Sequence, residues 1–488
     1  MWTNESLKKV IRENFQGYKF IIVSNREPFL HTYDPKGRVV FDRSVGGVSI
    51  TLDSIMRATK GTWVAYGGSA ADKDTVDKDD HVRVPPDNPQ YTLRRVWMSE
   101  QERLGYYEGF SNQTLWPLCH VVFKRPTFLE KDWTAYKQVN KRFAQAVLEE
   151  AGDKKCIVWI HDYQLALVAK YIKEKRPDII VAHFWHIPWP THEIFRICPW
   201  KSELINGLLN NDLLGFHRYY HMDNFMNTVS REIECKVDNE DSVINFKGHK
   251  TKIGFFPISV DYHEITKHLA ELKDDRTIVE KYVKFDYQIL ALGIDRIDYT
   301  KGIINRFLAI ERFLELYPKY KRKFVYLGFG ARSRSGINSY RELEDKIRSE
   351  VDRINARFSK DDWQPIVFVN EVIKREESLQ ISRVAHMCLV TPLDDGMNLV
   401  AKEFVAANNG EGSLVLSSFA GAAKELSDAY LINPYDIVGT AKRMNEAIEA
   451  SEEVRKNSMK KMKTVVEYNN VFRWASKFLL QLAKTKTS

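Results

Sequence analysis

The sequence predicts an α/β protein with two domains, each built on a parallel β-sheet that helices cover on both faces. The first observation is length, because 488 residues exceed what one ordinary hydrophobic core supports. The second is that apolar segments of strand length alternate with amphipathic segments of helix length, as in βαβ units. The third is that this alternation occurs in two successive series, which indicates two domains of the same kind.

The first series of predicted strands covers residues 20–24, 157–160, 179–185, 213–216 and 253–256. The second covers residues 289–293, 324–327, 366–369, 387–390, 414–417 and 430–432. Between them Pro257 ends a strand and polar residues follow, so we place the domain boundary near residue 258. Residues 71–90, rich in Asp, Lys and Pro, are predicted to form an exposed loop. In such an architecture ligands bind beyond the carboxyl ends of the strands, which places the predicted site in a cleft between the domains.

Composition limits the function classes. The chain carries 73 basic and 65 acidic residues, a mild net charge of +8 spread along its length, which gives no reason to expect a nucleic-acid partner. No apolar run reaches the roughly 18 residues of a membrane span, and the polar N-terminal segment lacks a signal-peptide core. Five scattered cysteines without a CxxC pair predict reduced thiols and exclude a zinc knuckle. We therefore expect a cytoplasmic enzyme without a membrane partner, and a homo-oligomer stays open.

The most informative segment is TPLDDGMNLVAKEF, residues 391–404. A buried strand ends in a turn at Asp395, and Asn398 is placed to cap a helix through residues 401–406. Unpaired N–H groups in the first turn of such a helix favour a diphosphate. Leu399 and Glu403 share one face of that helix, so the carboxylate is placed for a ribose and Asp395 for a sugar hydroxyl. Alone, the segment is equally compatible with a capped helix that carries solvated acids.

Arg296 and Lys301 follow the strand at residues 289–293. A guanidinium fork and an ammonium five residues apart at a strand's carboxyl end can clamp a pyrophosphate and neutralise a departing nucleoside diphosphate. A lone pair of cations at this spacing is more typical of a surface ion-pair network. The acidic segment further along the chain favours the diphosphate interpretation.

In the first domain, Arg26 ends a strand, and a Gly46-Gly47 pair permits close approach of the backbone to a phosphate or sugar. Tyr107 and Trp116 supply aromatic faces, although aromatic side chains more often fill cores.

His161 and Asp162 stand at the end of one predicted strand and His186 at the end of another, where a cleft is expected. A lone histidine is more often structural, and neither histidine has the neighbours of a metal ligand. Residues 328–334, GFGARSR, resemble a dinucleotide fingerprint that lacks its third glycine, so Arg334 is assigned to an acceptor phosphate and an NAD site is disfavoured.

Taken in this order, the motifs resemble those of the trehalose-6-phosphate synthases of glycosyltransferase family 20. The matching segments are SNRE at Ser24, GFSNQTLWP at Gly109, WIHDYQL at Trp159, HIPWPTHEIFR at His186, DRIDYTKG at Asp295, TPLDDGMNLVAKEF at Thr391 and SSFAGAAKEL at Ser417. The resemblance implies two Rossmann-like domains in the GT-B arrangement: an acceptor-binding domain over residues 1–257, a nucleotide-sugar-binding domain over residues 258–469, and a C-terminal helix over residues 470–488 that returns to the first domain. It also implies glucose transfer, with retention and without metal or cofactor, from a nucleotide diphosphate glucose to glucose 6-phosphate, giving trehalose 6-phosphate.

The resemblance implies a role for each candidate residue. It implies that Arg296 and Lys301 bind the donor diphosphate, that Glu403 binds the ribose, and that Asp395 and His186 bind the glucose. The full set of implied donor-binding residues is Gly47, His186, Arg296, Lys301, Asp395, Gly396, Met397, Asn398, Leu399 and Glu403. Acceptor contacts fall to Arg26, Tyr66, Tyr107, Trp116, Asp162 and Arg334. Asp162 is expected between the two substrates, and catalysis is expected to depend on Asp162, His186, Arg296, Lys301 and Asp395.

Three alternatives stay open. The sequence departs from the usual family pattern at Glu27, Tyr66 and Asp394, and its REP and GTWVA segments also resemble glucosylglycerol-phosphate synthases, which use another phosphorylated acceptor. The donor base is not fixed between UDP, ADP and GDP, with UDP-glucose expected first. A non-catalytic sugar-phosphate sensor with the same fold is disfavoured because Arg296, Lys301 and Glu403 are all present.

Overall fold

The computed structural model describes residues 2–44, 46–272 and 277–486. The chain forms two compact units, the first made of Met1–Ile258 with Val471–Ser488 and the second of Ser259–Asn470. Each unit is built around a largely parallel sheet with helices in the connections. The predicted α/β class is therefore confirmed.

The first unit contains twelve strands within the described residues. They are β1 (Lys19–Arg26), β2 (Phe29–Tyr33), β3 (Val39–Arg43), β4 (Thr62–Tyr66), β5 (His81–Val84), β6 (Tyr91–Val96), β7 (Cys156–His161), β8 (Ile180–Phe184), β9 (Leu213–Phe216), β10 (Lys236–Asp238), β11 (Val243–Phe246) and β12 (His249–Phe255). Its α-helices are α1 (Asn4–Asn14), α2 (Gly47–Thr59), α3 (Glu100–Arg103), α4 (Trp116–Cys119), α5 (Glu130–Ala151), α6 (Val168–Lys173), α7 (His192–Phe195), α8 (Lys201–Leu208) and α9 (Tyr219–Glu232). A π-helix spans Leu104–Leu115, and short 3₁₀ turns span Lys73–Thr75 and Tyr163–Leu165.

The second unit contains β13 (Ile289–Arg296), β14 (Phe324–Ala331), β15 (Ile366–Val369), β16 (Met387–Val390), β17 (Ser413–Ser417) and β18 (Tyr430–Ile432). Its helices are α10 (Tyr262–Glu271), α11 (Thr277–Glu280), α12 (Ile303–Leu316), α13 (Asn338–Phe358), α14 (Arg375–Val384), α15 (Leu399–Ala407), α16 (Ile437–Glu449) and α17 (Glu452–Tyr468). Its 3₁₀ turns are Tyr299–Lys301, Pro318–Tyr320 and Gly421–Lys424. The last helix of the chain, α18 (Val471–Thr485), belongs to the first unit.

Strand order places a topological switch point in each sheet. In the second unit the order is β15-β14-β13-β16-β17-β18, so the chain winds outward on one side of β13 and then on the other side from β16. In the first unit the parallel strands run β12-β9-β8-β7-β1-β4-β6, with the same reversal between β1 and β7. In open α/β sheets, ligands bind at the carboxyl ends of the strands beside such a reversal. The fold thus marks the ends of β13 and β16, and of β1 and β7, as candidate sites.

The prediction of an exposed loop over residues 71–90 is wrong in part. Within it the chain forms the 3₁₀ turn Lys73–Thr75 and the edge strand β5, which pairs antiparallel with β6. Its Asp72 is fully buried. An edge strand hydrogen-bonds on one side only and needs no apolar run, so a polar sequence such as HVRV gives little signal.

Helix α18 packs into the first unit through aromatic side chains. The ring of Phe478 stacks on Trp159 of β7, with ring centroids 4.5 Å apart and ring planes at 6°. The ring of Trp474 packs against Phe184 of β8, with ring centroids 5.1 Å apart. These contacts cover the apolar face of β7 and β8. Among the described helices, none is both long and apolar enough to cross a membrane.

Candidate active site

The switch point of the second unit joins two loops. The loop after β16 donates the N–H of Leu393 to the carbonyl of Thr300, at 2.7 Å, in the loop after β13. Gly302 has φ +62° there, and a Cβ on it would overlap the carbonyl oxygen of Thr391. Only glycine fits this left-handed position at no cost, so Gly302 lets the two loops pack as one platform.

The platform carries a cation and a carboxylate side by side. The ammonium of Lys301 lies 2.5 Å from Oδ2 of Asp395, and both side chains are mostly buried. Asp395 also accepts a hydrogen bond from Nδ2 of Asn398 at 3.1 Å. Arg296, at the end of β13, keeps about a third of its side chain exposed. One of the two predicted diphosphate cations, Lys301, and the predicted sugar carboxylate are therefore in direct contact.

The acidic loop leads into helix α15 as the sequence predicts. Asn398 is the N-cap and its side-chain oxygen accepts the N–H of Ala401 at 3.1 Å. The segment after β17 also holds this loop through the backbone. The N–H of Gly421 donates to the backbone carbonyl of Asp395 at 3.0 Å, and the N–H of Ala422 donates to that of Met397 at 2.8 Å. A Cβ on Gly421 would overlap the carbonyl of Gly396, which explains the glycine.

Glu403 lies on α15, four residues after Leu399. Burial raises the pKa of its carboxyl, although the charge of Arg375 opposes the shift. Among the described residues, no side chain or backbone N–H donates a hydrogen bond to it. A half-buried carboxyl without such a donor is suited to a hydroxyl pair of a ligand.

Asp298 is a candidate site residue that sequence reasoning did not assign. Its carboxylate lies 2.7 Å from Arg334 and 3.9 Å from Arg296, and it accepts the N–H of Thr300 at 3.1 Å. Burial alone would raise its pKa, but the charges of Arg334, Arg296 and Lys301 hold the pKa below its ordinary value. Asp298 thus orients cations on either side. Its place between Arg296 and Lys301 in DRIDYTK was the available signal.

Two other predictions concern this unit. Gly328 and Gly330 lie inside β14, and the next helix begins only at Asn338, so GFG does not form the strand-to-helix turn that a dinucleotide needs. Asp394, which had no assigned role, lies near Tyr435, whose pKa is raised by burial and further by the Asp394 charge.

In the first unit, Arg26 reaches the start of helix α2. A Cβ built on Gly46 would lie 3.9 Å from the Nη1 atom of Arg26. Gly46 is the N-cap of α2 and has no side chain that could accept a hydrogen bond from the first turn. No acid is present in that turn, which begins at Gly47. The first turn of a helix beside a guanidinium is suited to an anion. Tyr66 is aligned with Arg26 where β1 is irregular, at the ends of β1 and β4.

A buried ionic cluster lies directly behind Arg26. Arg95 is fully buried and contacts Glu27 and Asp72, each at 2.8 Å. Burial, followed by a hydrogen bond with Asp72, raises the pKa of Glu27 to about 9. The raised pKa keeps Glu27 protonated at neutral pH, whereas the pKa of Asp72 falls to about 2 as its hydrogen bonds outweigh burial.

Replacing Glu27 with glutamine is expected to make the protein less sensitive to alkaline pH. A raised pKa means that the stability provided by the protonated carboxyl is complete below pH 4.5 and is lost as pH rises towards 9. Glutamine is uncharged at every pH and has no such proton to lose. Melting temperatures from pH 5 to 9 should therefore fall less in the variant, because the wild type loses up to about 1.4 kcal/mol of unfolding free energy per pH unit over this range. The exposed Glu13→Gln variant is the control, and parallel curves for Glu27→Gln and the wild type would contradict the protonated state.

Tyr107 and Trp116 lie on the π-helix and at the start of α4. Tyr107 is half-buried, and its carbonyl accepts Nδ2 of Asn112 at 2.7 Å. Trp116 is only 5% exposed and packs against Tyr163, with ring centroids 5.7 Å apart. A π-helix is rare and frequently marks a functional segment. Trp116 has little surface left, so only an edge of its ring can contact a ligand.

Asp162 and His186 meet at the carboxyl ends of β7 and β8. Oδ1 of Asp162 accepts the N–H of Tyr163 at 3.0 Å and that of His186 at 3.2 Å. Asp162 has φ +75°, an unusual conformation for a residue with a side chain, and such strain is concentrated at functional sites. The carboxylate thus joins the ends of two strands at the edge of the switch point.

The described residues contain one group that could hold a metal ion, Asp77, Asp79 and His81, whose ligand atoms lie within 4.8 Å of one another. Oδ1 of Asp77 already accepts the N–H groups of Asp79 and His81, at 2.9 Å each. The group lies at the turn that leads into β5 and includes none of the candidate site residues. It gives no support to a metal in the site.

Comparison with known proteins identifies the family. The sequence profile of glycosyltransferase family 20 matches residues 18–484. A trehalose-6-phosphate synthase of Mycolicibacterium gilvum is 36% identical, over 95% of this chain and 93% of its own length. A bifunctional trehalose-6-phosphate synthase/phosphatase of Thermoproteus tenax is also 36% identical, over 96% of this chain, but this chain spans only 64% of that relative.

Structural similarity agrees with the sequence. The crystal structure of an alpha,alpha-trehalose-phosphate synthase (UDP-forming) from Burkholderia xenovorans, in complex with glucose-6-phosphate, superposes with a TM-score of 0.85 at 30% identity, over 95% of this chain and 99% of that one. A profile match and a fold match that both cover nearly the whole chain lead to one conclusion: the chain belongs to glycosyltransferase family 20.

Proposed function

We propose that the protein moves glucose from UDP-glucose to glucose 6-phosphate and forms trehalose 6-phosphate, with retention at the anomeric carbon. The observation that carries this proposal is the Lys301–Asp395 pair at the switch point of the second unit, at 2.5 Å. A cation for a diphosphate and a carboxylate for a sugar are what a nucleotide-sugar requires. The UDP-forming relative with bound glucose-6-phosphate supports both substrates.

The second unit is proposed to hold the donor. Arg296 and Lys301 neutralise the diphosphate, and Asp395 accepts a hydrogen bond from a glucose hydroxyl. Glu403 accepts from the ribose, and Gly396, Met397, Asn398 and Leu399, in the turn that leads into α15, supply the remaining donor contacts. As the bond between the anomeric carbon and the phosphate oxygen breaks, negative charge grows on that oxygen, and two fixed cations stabilise it most at this stage.

The first unit is proposed to hold the acceptor. Arg26 binds the phosphate of glucose 6-phosphate beside the first turn of α2, while Gly47 contacts the donor through its N–H group. Tyr66, Tyr107 and Trp116 surround the acceptor, and Asp162 lies next to its reacting hydroxyl. In the second unit, Arg334 is proposed for the acceptor phosphate as well, and Asp298 orients it at 2.7 Å.

The reaction then needs no covalent nucleophile. The acceptor oxygen bonds to the anomeric carbon on the face from which the phosphate departs, and the departing phosphate oxygen takes the acceptor's proton. Catalysis consists of positioning and charge stabilisation.

Arg26→Ala is expected to raise the KM for glucose 6-phosphate by roughly 10- to 100-fold, the range for a charged hydrogen bond, with a much smaller effect on the KM for UDP-glucose. Initial rates at saturating donor and varied acceptor measure it. Arg125→Ala, an exposed arginine of the same unit, is the control. A rise confined to the donor KM would place Arg26 in the donor site instead.

The function is tested by incubating the protein with UDP-, ADP- or GDP-glucose and a panel of phosphorylated acceptors. We expect release of nucleoside diphosphate with glucose 6-phosphate, and a product identified by mass and by its anomeric couplings as α,α-trehalose 6-phosphate. Release with glycerol 3-phosphate but not with glucose 6-phosphate would instead support a glucosylglycerol-phosphate synthase. Donor binding in calorimetry without turnover of any acceptor would support a sensor.

We further propose that the protein works in the cytoplasm. All five cysteines are free and four of them are buried, which fits a reducing compartment. The protein should therefore form the same product under oxidising and reducing conditions, but it should lose activity faster on storage under oxidising conditions.

A further inference from the structure

A surface cavity of about 380 Å³ lies at the C-terminal end of α15. It is formed by the start of α10, the loop after α15 and one face of α17. Because α15 has nine residues, this end lies about 13 Å from the donor loop at its first turn. The residues that line the cavity are Tyr262, Asn409, Gly410, Lys456, Lys460, Lys463, Thr464 and Glu467. None of them has been assigned to either substrate.

Three lysines of α17 line the cavity. Lys456, Lys460 and Lys463 are spaced by four and three residues, so they lie on one side of the helix. Like charges at this spacing repel each other and destabilise a helix. Glu452, one turn earlier, offsets the charge of Lys456 through an ion pair. The charges of the other two lysines need another explanation.

Lys460 and Lys463 have no acidic partner among the described residues. Glu467 follows Lys463 by one turn, yet the two form no ion pair in the described part of the chain. By contrast, Lys461 lies on another side of α17 and pairs with Asp428 at 3.1 Å. Ion pairs on a solvated helix surface therefore account for Lys461 but not for these two lysines of the cavity.

Lys463 is a partly buried cation. Its Nζ donates to the backbone carbonyl of Asn408, the C-cap of α15, at 2.5 Å. This bond uses one of the three N–H groups of the ammonium, so two remain for a ligand. Burial lowers the pKa of Lys463, because it removes water from around the charge. An anion beside the ammonium compensates for this loss, so the side chain favours an anionic ligand.

Three other residues of the cavity suit hydroxyl groups rather than a second anion. The pKa of Tyr262 is raised by burial and further by the charge of Glu467, so its hydroxyl lies near that carboxylate. Asn409 accepts the N–H of Glu411 at 3.1 Å through its Oδ1 atom, which leaves its N–H₂ group for a ligand. A carboxylate accepts a hydrogen bond from a hydroxyl and repels a phosphate. The cavity therefore fits a molecule with one anionic end and one hydroxyl-bearing end.

We propose that this cavity is a separate binding site for a small phosphorylated sugar, whose phosphate contacts Lys460 and Lys463. The hydroxyl groups of the sugar contact Tyr262, Asn409 and Glu467. A lysine ammonium binds phosphate as a point charge and needs no fixed geometry, which suits two flexible side chains. The volume of about 380 Å³ is near the lower limit of small-molecule sites, so it suits a monosaccharide phosphate better than a nucleotide sugar. Binding here does not depend on the transfer reaction proposed above.

Lysine acetylation of the full-length protein tests the site residue by residue. Acetic anhydride modifies only the neutral amine, and peptide mass spectrometry gives the rate at each lysine. The probes are glucose 6-phosphate, inorganic phosphate and glucose, at constant ionic strength. With glucose 6-phosphate at about ten times its Kd, we expect acetylation of Lys460 and Lys463 to slow about tenfold and that of Lys461 to stay unchanged. No slowing up to about 10 mM, or equal slowing at Lys461, would overturn the proposal.

The same experiment tests the contribution of the sugar. Inorganic phosphate should protect the two lysines only at a roughly tenfold higher concentration, because it makes no hydroxyl contacts, and glucose should not protect them. Tyr262→Phe should weaken protection by glucose 6-phosphate and leave protection by inorganic phosphate unchanged. Equal protection by the two phosphates in the wild type would overturn the assignment to a phosphorylated sugar.

Lys460→Gln should raise the concentration of glucose 6-phosphate that protects Lys463 by roughly tenfold or more, the range for a charged hydrogen bond. Lys461→Gln, on the same helix, is the matched control and should leave this concentration unchanged; both replaced lysines are exposed. Arg26→Ala weakens the proposed acceptor site and should also leave the protection unchanged, which separates the cavity from the substrate site. Full protection in Lys460→Gln, or loss of protection in Arg26→Ala, would overturn the inference whether or not the protein transfers glucose.

Discussion

Replacing Lys301 with alanine is expected to lower turnover by a factor of at least about 100. This is the loss seen when one preorganised donor to a developing charge is removed. In the ground state the diphosphate is already charged, so part of the Lys301 contribution is binding. The larger part arises as the bond to the phosphate breaks, because the ammonium is fixed beside Asp395 at 2.5 Å and needs no reorganisation at that moment.

The measurement is kcat under saturating UDP-glucose and glucose 6-phosphate, by coupled detection of UDP. Lys321→Ala, which changes an exposed lysine of the same unit, is the matched control. Lys301→Arg should recover only part of the rate, because a planar guanidinium does not reproduce a point charge at this position. Turnover within a few-fold of the wild type in Lys301→Ala would show that Lys301 does not stabilise the leaving group.

A check on folding belongs to the same experiment. Removing Lys301 takes an ionic partner from Asp395, which keeps the hydrogen bond from Asn398 at 3.1 Å, so some loss of stability is expected. If the variant melts near the wild-type temperature and still binds UDP, the loss of rate is chemical. The further variant Asp395→Asn removes the carboxylate and keeps an amide, which separates the sugar contact from the ion pair.

The parts of the molecule that the sequence predicts share a physical cause. Strands buried on both faces are continuous apolar runs, so β1, β7, β9 and β13 to β18 were predicted within a few residues. A helix N-cap is equally local, and Asn398 was predicted because its partner Ala401 is three residues away. Both signals depend on neighbours along the chain.

The parts that were missed depend on partners far along the chain. Asp298 and Arg334 are 36 residues apart, and His161 and His186 are 25 residues apart. The sequence shows that each follows a strand or lies in a loop, but not which side chain turns inward or which nitrogen of a ring faces a neighbour. Edge strands such as β5 were missed for a different reason. An edge strand pairs with a neighbour on one side only, so its sequence needs no apolar pattern that would reveal it.

Arg306→Leu is expected to destabilise the second unit by about 3–5 kcal/mol, the cost of breaking a buried ion pair by removing one partner. Arg306 lies on α12 behind the switch point and is 2% exposed. Its guanidinium donates to Asp295 at 2.7 Å, to the hydroxyl of Tyr326 at 2.8 Å and to Thr391 at 2.9 Å. It therefore joins β13, β14 and the loop after β16, the elements that carry the proposed donor residues.

The reason for so large an effect is the group that stays behind. Without Arg306, Asp295 must keep a buried charge or take up a proton, and both cost free energy. A double change of Asp295 and Arg306 to leucine removes both charges and should be less destabilising than Arg306→Leu alone. Arg312→Leu, on the same helix but with an exposed ion pair to Glu315, should cost less than about 1 kcal/mol.

Hydrogen exchange of the amides in β13 and β14 is the suitable measurement, because it reports on this sheet independently of the first unit. Protection there should fall by a factor of about 100 or more in Arg306→Leu, and by much less in the double variant. Equal loss in the two variants would mean that the hydrogen bonds to Tyr326 and Thr391, rather than the charge of Asp295, hold the platform. Because Lys301 and Asp395 stand on the two loops that Arg306 joins, a weakened platform should also raise the KM for UDP-glucose while the acceptor KM stays unchanged.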